Sequence, residues 1–471
     1  MEEFGVIRFN VREFGAVADG KTLDTVAFQK AVDECAQAGG GEVFVPAGEY
    51  VLSTVFLKDG VRIRFEEGTL ILGSLNFYDY AQQEQIDYPL YQDASHSYFD
   101  LSMFVGRNCN DIAIVGKATI DMRSVWDEDG VRGEAIVHRG PKCIALKECD
   151  NVEIADLTIN NVTDLAVYFA GCNNVDVYGL KMRVYIDGIS PDNSKNVRIH
   201  DCEVEAGDDA IVFKTSYTLN RLDICKDIHV WNCKLKSRCT AVKFGTETNG
   251  GFENILIENI DIRDTRITGL AIESVDGAIA DGITVRNVKM RNVGAPLFIH
   301  IGKRMRGPAG REIGAIRNVT LENITAEGPY EPYEVVAWNY VSYKANDTYQ
   351  EPWNLGTFEY TAKEILTRND PWQITSNVCG LKGYPLENIV LRNVTLHLDG
   401  GVQSFNADVP QDPKPYPEVN TYGRFLPAKG IFFRDIEGLT LDNVTITVDK
   451  PDAREDFVFD RVNGLKIIPK A

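Results

Sequence analysis

Two carboxylates stand side by side in EAGDDAIVFKT: Asp208 and Asp209, immediately ahead of the apolar run Ala210, Ile211, Val212 and Phe213. Like charges repel, and burying either without a partner is costly. A turn tolerates aspartate, so the pair alone carries little message. A third carboxylate changes the reading: Asp187, in YIDGISP, lies 22 residues before Asp209. Repulsion among three carboxylates separates their proton affinities, leaving one protonated and the others ionised. That division suits acid-assisted cleavage of a glycosidic bond, with an acid for the leaving oxygen and a base for water.

A repeat supplies the elements that bring such residues together. One wording recurs: Asn or Asp, then Val or Ile, a polar residue, an apolar residue, and a second alternating run. It reads NVEIADLTINNV at Asn151, NVDVYGLKM at Asn174, NVRIHDCEVEAG at Asn196 and DIHVWNCKLKS at Asp227. It continues as NILIENIDIRD at Asn254, GITVRNVKMRN at Gly282, NVTLENITA at Asn318, NIVLRNVTLHL at Asn388 and GLTLDNVTITV at Gly438. Each copy holds short period-two strands rich in β-branched residues, separated by Asn, Asp and Gly turns. One such coil cannot bury its own apolar face, whereas stacked coils share a continuous core. The expected fold is therefore all-β: a right-handed parallel β-helix, or solenoid, with rungs about 4.8 Å apart. The step from Asn174 to Asn196 is 22 residues, which places Asp187 beneath Asp209 on neighbouring rungs. Aspartate ladders also arise at such turns for structural reasons alone.

A single domain over residues 1–471 follows, because a solenoid grows by adding coils. Its N-terminal cap covers about residues 1–45. Within it, TVAFQKAVDECAQA (Thr25 to Ala38) spaces Ala27, Phe28, Ala31, Val32 and Cys35 as one face of a helix. Asp24 is the expected N-cap, and Gly39, Gly40 and Gly41 end the helix. The repeat is interrupted over about residues 329–377 by a segment rich in Tyr and Trp. Trp338, Trp353 and Trp372 are candidate platforms for sugar rings there. A second aromatic stretch, FYDYAQQEQIDYPLYQDASHSYF from Phe77, is placed to wall off one end of a cleft.

Net charge is −20, with 69 acidic against 49 basic residues. Nucleic acid and anionic membranes both require a basic face, so neither is an expected partner. No apolar run approaches the roughly 18 residues of a membrane span. The start, MEEFGVIRFNV, lacks the basic and apolar regions of a secretory leader. This reads as a cytoplasmic chain, or as a secreted one numbered after leader removal. The 10 cysteines form no CxxC pair, and residues such as Cys143, Cys172, Cys202, Cys225 and Cys233 read as buried free thiols. His96, His138, His200, His229, His300 and His397 are dispersed, so no structural metal and no cofactor are expected. Asn-x-Thr occurs at Asn161, Asn318, Asn323, Asn346, Asn393 and Asn443. A turn followed by a β-branched strand start explains the copies within the repeat better than glycosylation does.

The order Asp-Gly-Ile-Ser-Pro, then Gly-Asp-Asp-Ala-Ile-Val-Phe-Lys, then Phe-Gly-Thr-Glu-Thr-Asn-Gly-Gly resembles glycoside hydrolase family 28, the polygalacturonases and other pectin-cleaving enzymes. FGAVADGKTLDTVAFQKAVDECAQAGGGEVFVPAGEY resembles the start of many pectin-acting β-helix enzymes, and KATIDMRSVW the coil before the site. The resemblance runs from about Phe14 to about Asn292. It implies hydrolysis with inversion, Asp208 as general acid, and Asp187 and Asp209 positioning and activating water. It also matches Lys214 to a lysine that tunes the site or packs at the coil edge.

Departures from the family pattern bear on the substrate. Tyr185 and Ile186, rather than Asn-Thr, precede Asp187. The slot of a Gly-His-Gly motif holds Arg238, Cys239 and Thr240. The slot of an Arg-Ile-Lys motif, which holds a uronate carboxylate in polygalacturonases, carries Ala271 and Glu273. A galacturonate there is expected to meet repulsion from Glu273. The sequence thus leaves two alternatives: a neutral sugar such as rhamnose, or a uronate held from another direction by Arg238, Lys243, Lys303, Arg304 or Arg306. His300 is a candidate for the missing histidine, and Glu247 and Glu273 for contacts to sugar hydroxyls. The expected activity is an inverting glycoside hydrolase on pectic or related plant cell-wall oligosaccharides; a walled cleft would favour exo action, and the sequence leaves endo and exo both open. The alternatives are a polysaccharide lyase, in which carboxylates bind Ca²⁺ and a basic residue abstracts a proton, and a carbohydrate-binding β-helix without catalysis.

Overall fold

The computed structural model describes residues 7–92, 94–125, 139–329, 373–405, 407–411 and 417–469. Strands dominate it, with one α-helix and four short 3₁₀ turns among the described residues. The chain divides into two compact units: Met1–Val204 with Phe213–Cys233, and Glu205–Val212 with Lys234–Ala471.

In the first unit, helix α1 spans Thr25–Gln37 and buries Ala27, Phe28, Ala31, Val32 and Cys35, the face the spacing predicts. Its start differs from the expectation. The Asp24 carboxylate makes no cap to the helix. It accepts instead from the Val17 N–H at 2.7 Å and the Ala18 N–H at 3.1 Å. Two donors of the preceding loop thus outcompete the helix's own. The end behaves as expected, with the Gly39 and Gly40 N–H groups donating to the Ala36 and Cys35 carbonyls.

The repeats become parallel ladders. Strand Asp150–Ala155 pairs with Asn110–Gly116 on one side and Asn173–Tyr178 on the other, and the series continues through Lys195–His200 and Ile224–Trp231. Val152, Val175, Val197 and Ile228 fall in one register and are all buried. Stacking identical apolar positions in register excludes water from one continuous face, which no single copy achieves alone.

Asparagine explains how each strand is entered. Asn151, Asn174, Asn196, Asn318, Asn323, Asn393 and Asn443 all adopt φ between 52° and 55°. Asparagine tolerates this left-handed conformation better than other residues with a side chain. Their amides also form ladders: Asn174 donates to Asn151 at 2.6 Å, Asn393 to Asn323 at 3.0 Å and Asn443 to Asn393 at 2.9 Å. The turn reading therefore accounts for these sequons. Asn346 lies outside the described residues. All ten cysteines are free, and nine are buried, as expected.

Two short strands of the first unit are β1 (Val167–Ala170) and β2 (Ile189–Asp192), and β3 (Ile211–Thr215) belongs to that unit from Phe213 onward. Val167 of β1 is in register with Ile189 of β2, and the Asn193 N–H donates to the Lys214 carbonyl at 3.0 Å. In the second unit, β4 (Thr240–Thr248), β5 (Gly251–Ser274) and β6 (Ile279–Ile301) are parallel. Lys243 is opposite Ala271, and Glu273 is opposite His300.

Candidate active site

Asp187 precedes β2 and is buried. Its carbonyl accepts from the Ala166 N–H at 3.0 Å, which fixes the turn that carries it. Lys214 Nζ approaches Asp187 Oδ2 at 3.7 Å, and both side chains are only 5% exposed. An ammonium at this distance in a dry environment favours the ionised carboxylate.

In the second unit, Asp209 is buried and Asp208 partly exposed. The Ser237 hydroxyl donates to the Asp208 carbonyl and in turn accepts from the Cys239 N–H at 2.8 Å, holding the turn. The Ala210 N–H donates to the Thr240 carbonyl at 3.0 Å. Asp209 Oδ2 meets Lys243 Nζ at 3.2 Å, with side-chain exposures of 4% and 7%. Among the described residues, Asp208 forms no ion pair.

In the second unit the structure sorts the remaining candidates. Glu247 on β4 forms an ion pair with Arg306, and Arg304 lies 4.0 Å from it. Arg304 is turned chiefly toward Asp276, which its Nε and Nη2 grip as a two-pronged fork, with Nε–Oδ1 at 2.9 Å. Arg304 also donates to the Thr246 carbonyl at 2.7 Å, and the Arg306 N–H donates to Asp276 at 2.8 Å. Such planar two-point pairing suits a guanidinium fixed in place. Arg238 is half-buried, and its Nε has no hydrogen-bond partner among the described residues.

Glu273 is almost fully buried, and its Oε2 has no hydrogen-bond partner among the described residues. Burial pushes its carboxyl up to about 8, against the lowering influence of Lys243 and Arg304 and with the raising influence of Asp209 and Glu418. A carboxyl raised in this way repels a uronate less than an ordinary glutamate would. His300 is buried, stacks on Phe298 and shares a hydrogen bond of 2.9 Å between its Nδ1 and the Tyr422 hydroxyl. Burial lowers its basicity to about 3.

Three participants were not singled out from the sequence: Asp276, Glu418 and Tyr422. Asp276 precedes Arg304 by 28 residues, the step from Asn254 to Gly282, so a periodic signal existed. Glu418 and Tyr422 follow the long insertion and share no such period.

Of the aromatic candidates, Trp338, Trp353 and Trp372 lie outside the described residues, as does His138. The stretch from Phe77 packs within the first unit. The Tyr88 hydroxyl donates to the Thr218 carbonyl at 2.6 Å, Tyr91 meets Tyr217 edge to face, and Phe99 stacks on Tyr168.

Comparison with known proteins adds an independent line. The family model described as Glycosyl hydrolases family 28 matches residues 35–337. A probable polygalacturonase of Vitis vinifera is 26% identical over 297 residues, covering 60% of this chain and 60% of the relative. An exo-poly-alpha-D-galacturonosidase of Dickeya chrysanthemi is 27% identical over 335 residues, covering 60% of this chain and 55% of the relative. The chain thus spans less than two thirds of the length of these relatives. The solved Yersinia enterocolitica family 28 exopolygalacturonase superposes with a TM-score of 0.64 at 20% identity, over 97% of this chain and 78% of that one. At that identity the likeness speaks for the fold.

Proposed function

Since the chain belongs to glycosyl hydrolases family 28, we propose that it is an inverting glycoside hydrolase acting on pectic or related plant cell-wall oligosaccharides. The observation that carries this reading is the unequal pairing of three carboxylates, Asp187 in the first unit and Asp208 and Asp209 in the second. Asp187 has Lys214 and Asp209 has Lys243, whereas Asp208 has no cation among the described residues. An ammonium holds its carboxylate ionised and ready to orient and deprotonate water. Asp208, without one and partly open to solvent, is left as the proton donor to the leaving oxygen. Attack by water on the face opposite the leaving group inverts the anomeric centre.

The scaffold in this reading is a right-handed parallel β-helix, with α1 covering the N-terminal end of its core. Its support is the register of successive repeats and the likeness to a solved family 28 exopolygalacturonase. Exo action is our reading, supported by a relative whose name denotes an exo-acting enzyme.

For the sugar beside the carboxylates we infer a neutral unit such as rhamnose, because Ala271 and Glu273 occupy the slots of the uronate clamp. Arg238 favours a second reading, a uronate held from another side, because its Nε has no partner among the described residues. A panel of neutral and acidic pectic oligosaccharides, with products followed by chromatography, tests both. Release of rhamnose and not galacturonate supports the first, and the opposite supports the second. No product from any substrate in the panel contradicts the hydrolase reading.

A further inference from the structure

Glu273 is a buried carboxyl that a hydrolytic cycle does not require. It sits on β5, opposite Gly245 on β4 by the register of Lys243 with Ala271. A side chain at Gly245 would stand only 3.0 Å from Glu273 Oε2, so the glycine makes room for this carboxyl. Lys243, two residues before Gly245, contacts Asp209 at 3.2 Å and shares the face of β4 that Glu273 meets across the ladder. The charged groups that act on Glu273 electrostatically are Lys243 on β4, Asp209, Arg304 and Glu418, and His300 is opposite it on β6.

We propose that Glu273 is a positioning residue that acts through Lys243: while neutral it leaves the ammonium to Asp209, and once ionised it competes for that ammonium and slows the reaction. This rests on the hydrolase reading above. The competition is electrostatic, since an ionised Glu273 adds another carboxylate to the field of the ammonium that attends Asp209.

The sign of the linkage follows. The carboxyl titrates near pH 8 when folded and near ~4.3 when unfolded. Between those limits the folded chain holds the extra proton, so Glu273 lowers stability as pH rises and adds no further change above about 8.

Two measurements on the full chain test this, using wild type, Glu273→Gln and both in an Asp209→Asn background. The first is the thermal denaturation midpoint against pH. The gap between wild type and Glu273→Gln should shift steadily against wild type from pH 5 to pH 8 and level off above. In the Asp209→Asn background the levelling should come at lower pH, because the charge of Asp209 no longer opposes ionisation of Glu273. The second is kcat/KM against pH on the best oligosaccharide. The alkaline limb of wild type, falling about tenfold per pH unit, should move up by at least about one pH unit in Glu273→Gln. A pH-independent gap, a levelling point unmoved by Asp209→Asn, or an unmoved alkaline limb overturns the proposal. If no oligosaccharide is cleaved, the hydrolase reading fails separately, and the denaturation curves still decide whether Glu273 and Asp209 share Lys243.

Discussion

Lys243 Nζ lies 3.2 Å from Asp209 Oδ2, and neither side chain exposes more than 7% of its surface. A buried charge without its partner is expensive, so this pair is tied together by desolvation as much as by attraction. The second lysine repeats the arrangement: Lys214 attends Asp187. Two of the three carboxylates thus each face a buried ammonium, and the third, Asp208, forms no ion pair among the described residues.

Removing one half of the buried pair should be costly in two ways. Lys243→Met leaves Asp209 buried and uncompensated, which should lower stability by about 3–5 kcal/mol and kcat by at least ~10²-fold. Urea denaturation at neutral pH and steady-state kinetics measure the two effects. Wild-type stability in the variant would show that the pair is not buried as described.

Lys214 separates tuning from packing. Lys214→Met keeps the length and apolar body of the side chain but deletes the charge beside Asp187. A tuning role requires kcat to fall by about 10²-fold with KM little changed. A packing role predicts a normal kcat, because the methionine fills the same volume.

The Arg304–Asp276 fork should matter for stability. Asp276→Asn removes the carboxylate that receives both prongs and should cost about 3 kcal/mol. Arg304→Lys should not restore what is lost on removing the fork, since an ammonium offers no planar two-point geometry. Thermal denaturation of the three chains settles the order: wild type highest, both variants clearly below.

Acid should weaken the fold through His300. Its folded-state basicity is lowered to about 3 by burial, against ~6.5 when unfolded. Between those values the unfolded chain binds the extra proton, so stability declines as pH falls below ~6.5, by up to about 1.4 kcal/mol per pH unit. His300→Gln should flatten part of that decline. Equal slopes for wild type and variant between pH 6.5 and pH 4 would contradict a buried neutral imidazole.

Much of this was legible in the sequence because the fold is periodic. Asp187 and Asp209 were associated by a 22-residue step, and Val167 and Ile189 stand in register at the same step. The helix face of α1 was legible for the same reason, from the 3.6-residue period of Phe28, Ala31, Val32 and Cys35. What escaped were the residues whose partners obey no period. Tyr422 meets His300 across 122 residues, and no spacing rule reaches through an insertion. Asp24 was misassigned because a local cap signal cannot show that two loop N–H groups take the same carboxylate. The state of Glu273 was hidden for a different reason. A sequence shows that a residue is acidic, whereas burial decides whether it is charged.

The most direct test of the hydrolase reading is the fate of one pectic oligosaccharide under wild type and Asp208→Asn. The account predicts release of a reducing sugar whose first-formed anomer, followed by proton NMR, is inverted relative to the bond cleaved. It further predicts that Asp208→Asn retains the wild-type fold by circular dichroism and loses at least about 10³-fold in kcat. Product with the ultraviolet absorbance of an unsaturated sugar, a retained anomer, or an undiminished rate in Asp208→Asn would contradict it.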